Sequence, residues 1–239
     1  KTFRSYDYFY DTNEQNILSE IEQGIGENIE LVLSNSTMPL ADMRYILKYT
    51  WFVIGMYSGG VSRFIADYLL REKNIPYMEF HTKMFNHFNK PEFIFKGILE
   101  QMDSCLDEWV DKGYVTSKIG GFNFIGWNFI SCFTPIIHSS DAVKLTISQV
   151  KDYVKAEYNV DDEVLSEYET FTNAFIKQWG EFITDPIVLE SNTNLLPHSQ
   201  YQITDRYDDF PTTREDHIEM VVFGRRKSWY LNKMLPLTK

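Results

Sequence analysis

Between Pro39 and Lys112 the chain carries four successive apolar stripes at helical spacing, each cut from the next by glycine or proline. Recurrence at i, i+3, i+4 and i+7 is the pattern of a helix with one face buried, so this region dictates a helical body. Ser36 or Thr37 can cap the first helix, and Pro39 suits its first turn because proline lacks only an amide that is unpaired there anyway. That helix is expected to reach about Tyr57, with Met43, Ile46, Leu47, Thr50, Trp51 and Ile54 inward. Ser58-Gly59-Gly60 ends it. A second helix, 61–73, turns Phe64, Ile65, Tyr68 and Leu69 inward, and Asn74-Ile75-Pro76 stops it, since the residue before proline disfavours helix. The third runs from Tyr77 to Phe88, and Pro91 opens a fourth that reaches about Lys112.

Outside this region the pattern varies. Asn13–Ile25 reads as a short helix and Ile29–Leu33 as a buried strand. Ser140-Asp141 starts a helix to about Tyr158, and Asp161-Asp162 another to about Trp179. Phe122–Phe133 alternates in part and is read as strand. Beyond Gly180 the texture changes: Asp185-Pro186, 191–194 and Pro197 read as loop, while 201–207, 217–223 and 228–231 read as strands around a turn at 224–227. The expected fold is mainly α with a small C-terminal β-sheet, a helical body over 1–180 and a loop-and-sheet region over 181–239 packed on it.

Charge and cysteine content narrow the function. Of 239 residues, 34 are acidic and 23 basic, for a formal charge of −11, which repels phosphate at long range and argues against a nucleic-acid partner. The uncharged stretch from Ile119 to Ser140 is long enough to span a bilayer. Its glycines, asparagines and Pro135 suit a buried irregular segment better than a lipid-facing helix, so no membrane partner is expected. With Cys105 and Cys132 alone, neither a disulfide framework nor a four-thiolate centre is available; reduced thiols in a cytoplasmic protein, or one bridge, are the two readings.

One motif gives a candidate site. Ser58, Gly59 and Gly60 could cradle phosphate if a strand precedes them, because glycine lets an anion approach free amides. They are similar to the SGGxDS loop of the N-type ATP pyrophosphatases, but Ser62-Arg63 stands where that loop has its aspartate. On this alternative the chain is a nucleotide-binding α/β enzyme. Among His81, His87, His138, His198 and His217, none has a ligand spacing that supports a metal, so no metal site is assigned. Cys105 lies between Asp103 and Asp107, where negative charge raises a thiol pKa, and it reads as structural. Arg225-Arg226-Lys227 reads as a solvated turn. The 18 Phe, 15 Tyr and five Trp suit helices that line a pocket or pack on another domain, which also leaves open a non-catalytic interaction protein.

A further pattern covers about Ile29 to Phe88. Glu30-Leu31-Val32-Leu33-Ser34-Asn35-Ser36-Thr37-Met38, then Asp42 and Trp51, Arg63 to Leu70, Ile75-Pro76-Tyr77 and Phe80 resemble the region that follows the catalytic barrel in cobalamin-binding radical SAM proteins. The resemblance implies a parent enzyme that is methyltransferase-like and uses S-adenosylmethionine, a 4Fe-4S cluster and cobalamin. Its upstream radical SAM barrel and cobalamin domain would be this region's partners. The chain has no CxxxCxxC, so the resemblance makes it an accessory C-terminal region without catalytic residues or cofactors of its own, a reading that its start without methionine suits. Trp51, Tyr77 and His81 are the expected substrate-pocket residues.

Overall fold

The computed structural model describes residues 2–5, 27–30, 37–112, 118–119, 122–123, 140–176, 185–204 and 233–237. It is mainly helical, with a small antiparallel sheet toward the C-terminus. Strands β1 (Thr2–Ser5) and β2 (Glu27–Glu30) pair antiparallel, Phe3 opposite Ile29. Helices α1 (Leu40–Val53), α2 (Arg63–Lys73), α3 (Tyr77–Phe88) and α4 (Ile94–Lys112) follow. A two-residue ladder, β3 (Lys118–Ile119) with β4 (Phe122–Asn123), precedes α5 (Ser140–Tyr158) and α6 (Asp162–Phe175). Strands β5 (Ile187–Glu190), β6 (Gln200–Thr204) and β7 (Lys233–Pro236) form an antiparallel sheet in that order.

The helix boundaries follow from local chemistry. Asn74 ends α2 in the left-handed region at φ 55°, which asparagine tolerates, and its amide bonds to the Leu69 carbonyl. Pro76 then sits immediately before α3, its fixed φ already helical. Pro39 is the residue that precedes α1 rather than part of its first turn, and no side chain caps that helix. The helix α1 also ends earlier than expected: from Ile54 to Ser58 it widens into a π-turn, with the Gly59 amide bonding the Ile54 carbonyl at 3.1 Å.

Along α1, Trp51 and Phe52 are buried, as is Met56 in the turn, whereas Ile46 is 49% exposed. The expected stripe therefore missed Phe52 and placed Ile46 on the wrong side, while Met43 and Leu47 pack at the core margin. Phe52 is fully buried and meets Phe85 and Phe95 edge-on, with centroids 5.3 and 5.6 Å away. Such contacts add to the burial of a large ring, which is why phenylalanine dominates here. On α2 the inward residues are the expected ones: Phe64, Ile65, Tyr68 and Leu69.

The sheet joins the same core. Tyr201 is buried in the helical cluster and meets Phe171 of α6 edge-on at 5.6 Å. The strand read over 201–207 begins at Gln200 and is described to Thr204, while β5 and β7 were not anticipated. In the Phe122–Phe133 segment, Phe122–Asn123 is strand and the remainder lies outside the described residues, as do 13–25, 31–33, 217–231 and Trp179. No helix among the described residues is long and apolar enough to cross a membrane.

Candidate functional site

The Ser58-Gly59-Gly60 turn is built for close approach of backbone to backbone. A Cβ on Gly59 would stand 1.8 Å from the Gly55 carbonyl oxygen, and Gly60 has φ 88°, so both positions demand glycine for steric reasons. Their amides are committed. Gly59 donates to Ile54, Gly60 to Tyr57 and Ser62 to Met56, all through carbonyl oxygens at 2.9–3.1 Å. The turn joins two helices, and these three amides are not available to cradle a phosphate as the alternative reading requires.

Immediately after this turn a buried polar chain links α2 to α3. His81 Nδ1 lies 2.8 Å from the Tyr77 carbonyl, which can only accept, so Nδ1 carries the proton. Burial holds the imidazole pKa below its ordinary value, against an opposing backbone bond and the charge of Asp67. His81 is therefore neutral near pH 7, and its Nε2 accepts from the Ser62 hydroxyl at 3.1 Å. Ser62 is fully buried and His81 2% exposed, so a substrate does not reach the pair; it fastens two helices. Trp51 is likewise a core residue, 5% exposed. Of the three residues expected in a pocket, Tyr77 alone is substantially exposed.

Tyr77 leads to the site that sequence reasoning did not find. Its hydroxyl donates to Asp67 Oδ1 at 2.8 Å, and the hydroxyl of Tyr57 donates to the same oxygen at 2.9 Å. Both phenols are held protonated, their pKa values raised first by burial and then by interactions with Asp67. Asp67 in turn lines a cleft of about 540 Å³ between α2, α6 and the sheet. Arg63 and Phe64 share its α2 wall, Phe175 comes from α6, and Pro197 and His198 from the loop before β6. Met234, Leu235 and Pro236 of β7 complete it.

The charges in the cleft are arranged unusually. Arg63 and Asp67 lie one helical turn apart, a spacing that normally favours an ion pair. Among the described residues, however, Arg63 makes no hydrogen bond or ion pair; its guanidinium lies over the Phe175 ring, 5.6 Å from the centroid. The loop wall is held separately. Glu167 of α6 accepts from the Ser191 hydroxyl and from the amides of Asn192 and Thr193 at 2.5–3.0 Å. Arg71 of α2 donates to the carbonyls of Asn194 and Leu195. Among the described residues, the result is a preformed cavity with an apolar floor, one cation without a hydrogen-bond acceptor and one half-committed carboxylate, the usual composition of a small-molecule site.

The cofactors implied by the resemblance find no seat in the chain's own thiols. Binding an iron–sulfur cluster takes several thiolates. Cys105 is buried in α4 with its thiol pushed up to about 11 by burial and by Glu108, and Cys132 lies outside the described residues. Among the described residues no group of three or more His, Cys, Asp or Glu is placed to hold a metal. His138 and His217 lie outside the described residues. Compared with known proteins, the chain matches no protein-family model and no curated sequence.

Proposed function

We propose that this chain is a ligand-holding accessory region of a larger enzyme, the C-terminal region of a cobalamin-dependent radical SAM protein. In this reading the upstream barrel and cobalamin domain supply the cluster, S-adenosylmethionine and cobalamin, and the helical region contributes part of the substrate pocket. The observation that carries the holding role is the cleft between α2, α6 and the sheet, whose walls are tied down by Glu167, Arg71 and the Tyr57–Asp67–Tyr77 bonds. Walls fixed before binding lower the ordering cost that a ligand would otherwise meet. The pocket role first expected of Trp51, Tyr77 and His81 moves to Arg63, Asp67 and the loop at Pro197–His198, with Tyr77 acting through Asp67.

The test is a comparison of this chain with the product of its full reading frame. With S-adenosylmethionine and dithionite, the isolated chain is expected to release no 5′-deoxyadenosine, whereas the full product releases it. Release by the chain alone, or a full reading frame without CxxxCxxC, overturns the assignment.

A further inference from the structure

Two opposite charges that face one cleft without pairing are an incomplete arrangement. Arg63 is exposed, and among the described residues its guanidinium has the Phe175 ring as its contact and no acceptor for its N–H groups. Asp67 receives both tyrosine hydroxyls on Oδ1, and among the described residues nothing donates to Oδ2. A simple anion here would gain from Arg63 and be repelled by Asp67, and a simple cation would meet the reverse. Neither charge type alone is favoured.

A zwitterion satisfies both. Residues one turn apart on a helix present Cβ atoms about 5–6 Å apart, a span that an ammonium and a carboxylate borne on one carbon can bridge. The planar guanidinium offers paired donors to a carboxylate, and the free carboxylate oxygen accepts an ammonium proton. Most of the remaining lining is apolar, with Phe64 and Phe175 on the helix side and Leu196 and Pro197 on the loop side, while His198 and Tyr201 add polar atoms. That surface suits an aromatic or branched aliphatic side chain, and the cleft volume of about 540 Å³ accommodates one.

We infer that the cleft binds a free α-amino acid, or a group with the same ammonium–carboxylate unit, that carries a large apolar side chain: its carboxylate on Arg63, its ammonium on Asp67 and its side chain against Phe64 and Phe175. This rests on the reading of the cleft as a ligand site and names the ligand class for it.

Calorimetric titration of the full chain with three probes tests it: L-phenylalanine, 3-phenylpropanoate, which lacks the ammonium, and phenethylamine, which lacks the carboxylate. L-phenylalanine is expected to bind about tenfold or more tighter than either analogue. Arg63→Gln should remove that advantage and leave phenethylamine affinity unchanged or improved, with Arg63→Lys recovering part of it. Asp67→Asn, which keeps an oxygen for the two tyrosine hydroxyls, should weaken L-phenylalanine and phenethylamine but not 3-phenylpropanoate. Equal binding of the three probes, or variants without this crossed pattern, overturns the zwitterion assignment and leaves the cleft a ligand site. Absence of binding by all three overturns both.

Discussion

Arg63 and Asp67 stand one turn apart on α2 and do not pair, because Asp67 is drawn to the hydroxyls of Tyr57 and Tyr77 while Arg63 lies over Phe175. An exposed i,i+4 ion pair contributes only about 0.3–0.5 kcal/mol, so two hydrogen bonds to a charged acceptor, one of them part-buried, outweigh it. The π-turn after α1 is what brings Tyr57 within reach of Asp67 from one side, and the Pro76 break brings Tyr77 from the other.

The Ser62–His81 bond should make stability depend on pH in a specific sense. Burial lowers the folded pKa of His81 below the unfolded value near 6.5, so the unfolded chain binds more protons in acid. Stability is then fully present above about pH 6.5 and is lost as pH falls from there toward the folded pKa. Denaturant unfolding between pH 8 and pH 5 should show this slope, reduced in His81→Gln. His87, whose pKa is also lowered by burial and by Lys90, supplies a residual slope. An identical slope in the variant would contradict the assignment.

At the glycine turn, Gly60→Ala should lower stability by ~1–2 kcal/mol, the cost of placing a side chain at positive φ. Gly59→Ala should cost more, since its Cβ meets backbone at Gly55 rather than a side chain that can move aside. Urea unfolding measures both. A neutral Gly59→Ala would contradict the close approach of Gly59 to the Gly55 carbonyl.

In the core, Phe52→Ala should cost ~3–5 kcal/mol, because the ring is fully buried and the space it leaves is walled by Phe85 and Phe95. Ile46→Ala, on the same helix but half exposed, should change stability by less than ~1 kcal/mol. Comparable losses at the two sites would put the stripe back where periodicity alone first drew it.

Glu167→Gln should free the loop that forms one wall of the cleft. The amides of Asn192 and Thr193 both donate to Glu167 Oε2, at 2.8 and 3.0 Å, and a neutral amide is a weaker acceptor than a carboxylate. Hydrogen exchange at these two amides should accelerate while exchange in α3 is unchanged. Unaltered exchange at both would show that the loop is held without Glu167, by Arg71, Glu72 and the Ser191–Ser199 backbone bond.

Much of the fold was legible because its signals are local. The inward face of α2 follows from spacing alone, and the bounds of α3 from the proline before it and the apolar repeat within it. The π-turn at Ile54–Ser58 was not legible, and neither was the phase of the regular helix before it: the core takes in Phe52, just beside the expected stripe, and leaves Ile46, within that stripe, half exposed. Strands β5 and β7 are four residues each, too short to show alternation against neighbouring loop residues. Trp51 and His81 were assigned to a pocket by residue type, yet a large ring and a neutral imidazole serve equally well inside a core when their polar atoms are met. Arg63 stood in view as a departure from a phosphate loop and as the first residue of the Arg63–Leu70 segment, with no binding role attached to it. Its role emerges from Phe175 and His198, more than a hundred positions along the chain, which no local pattern connects to it.

The most direct measurement of the account is amide chemical-shift mapping of the labelled chain as L-phenylalanine is added. Shifts are expected at Arg63, Phe64, Asp67, Phe175, His198 and Tyr201, with Ser58, Gly59 and Gly60 unmoved. Shifts centred on the glycine turn, or none around the cleft at saturating ligand, would contradict it.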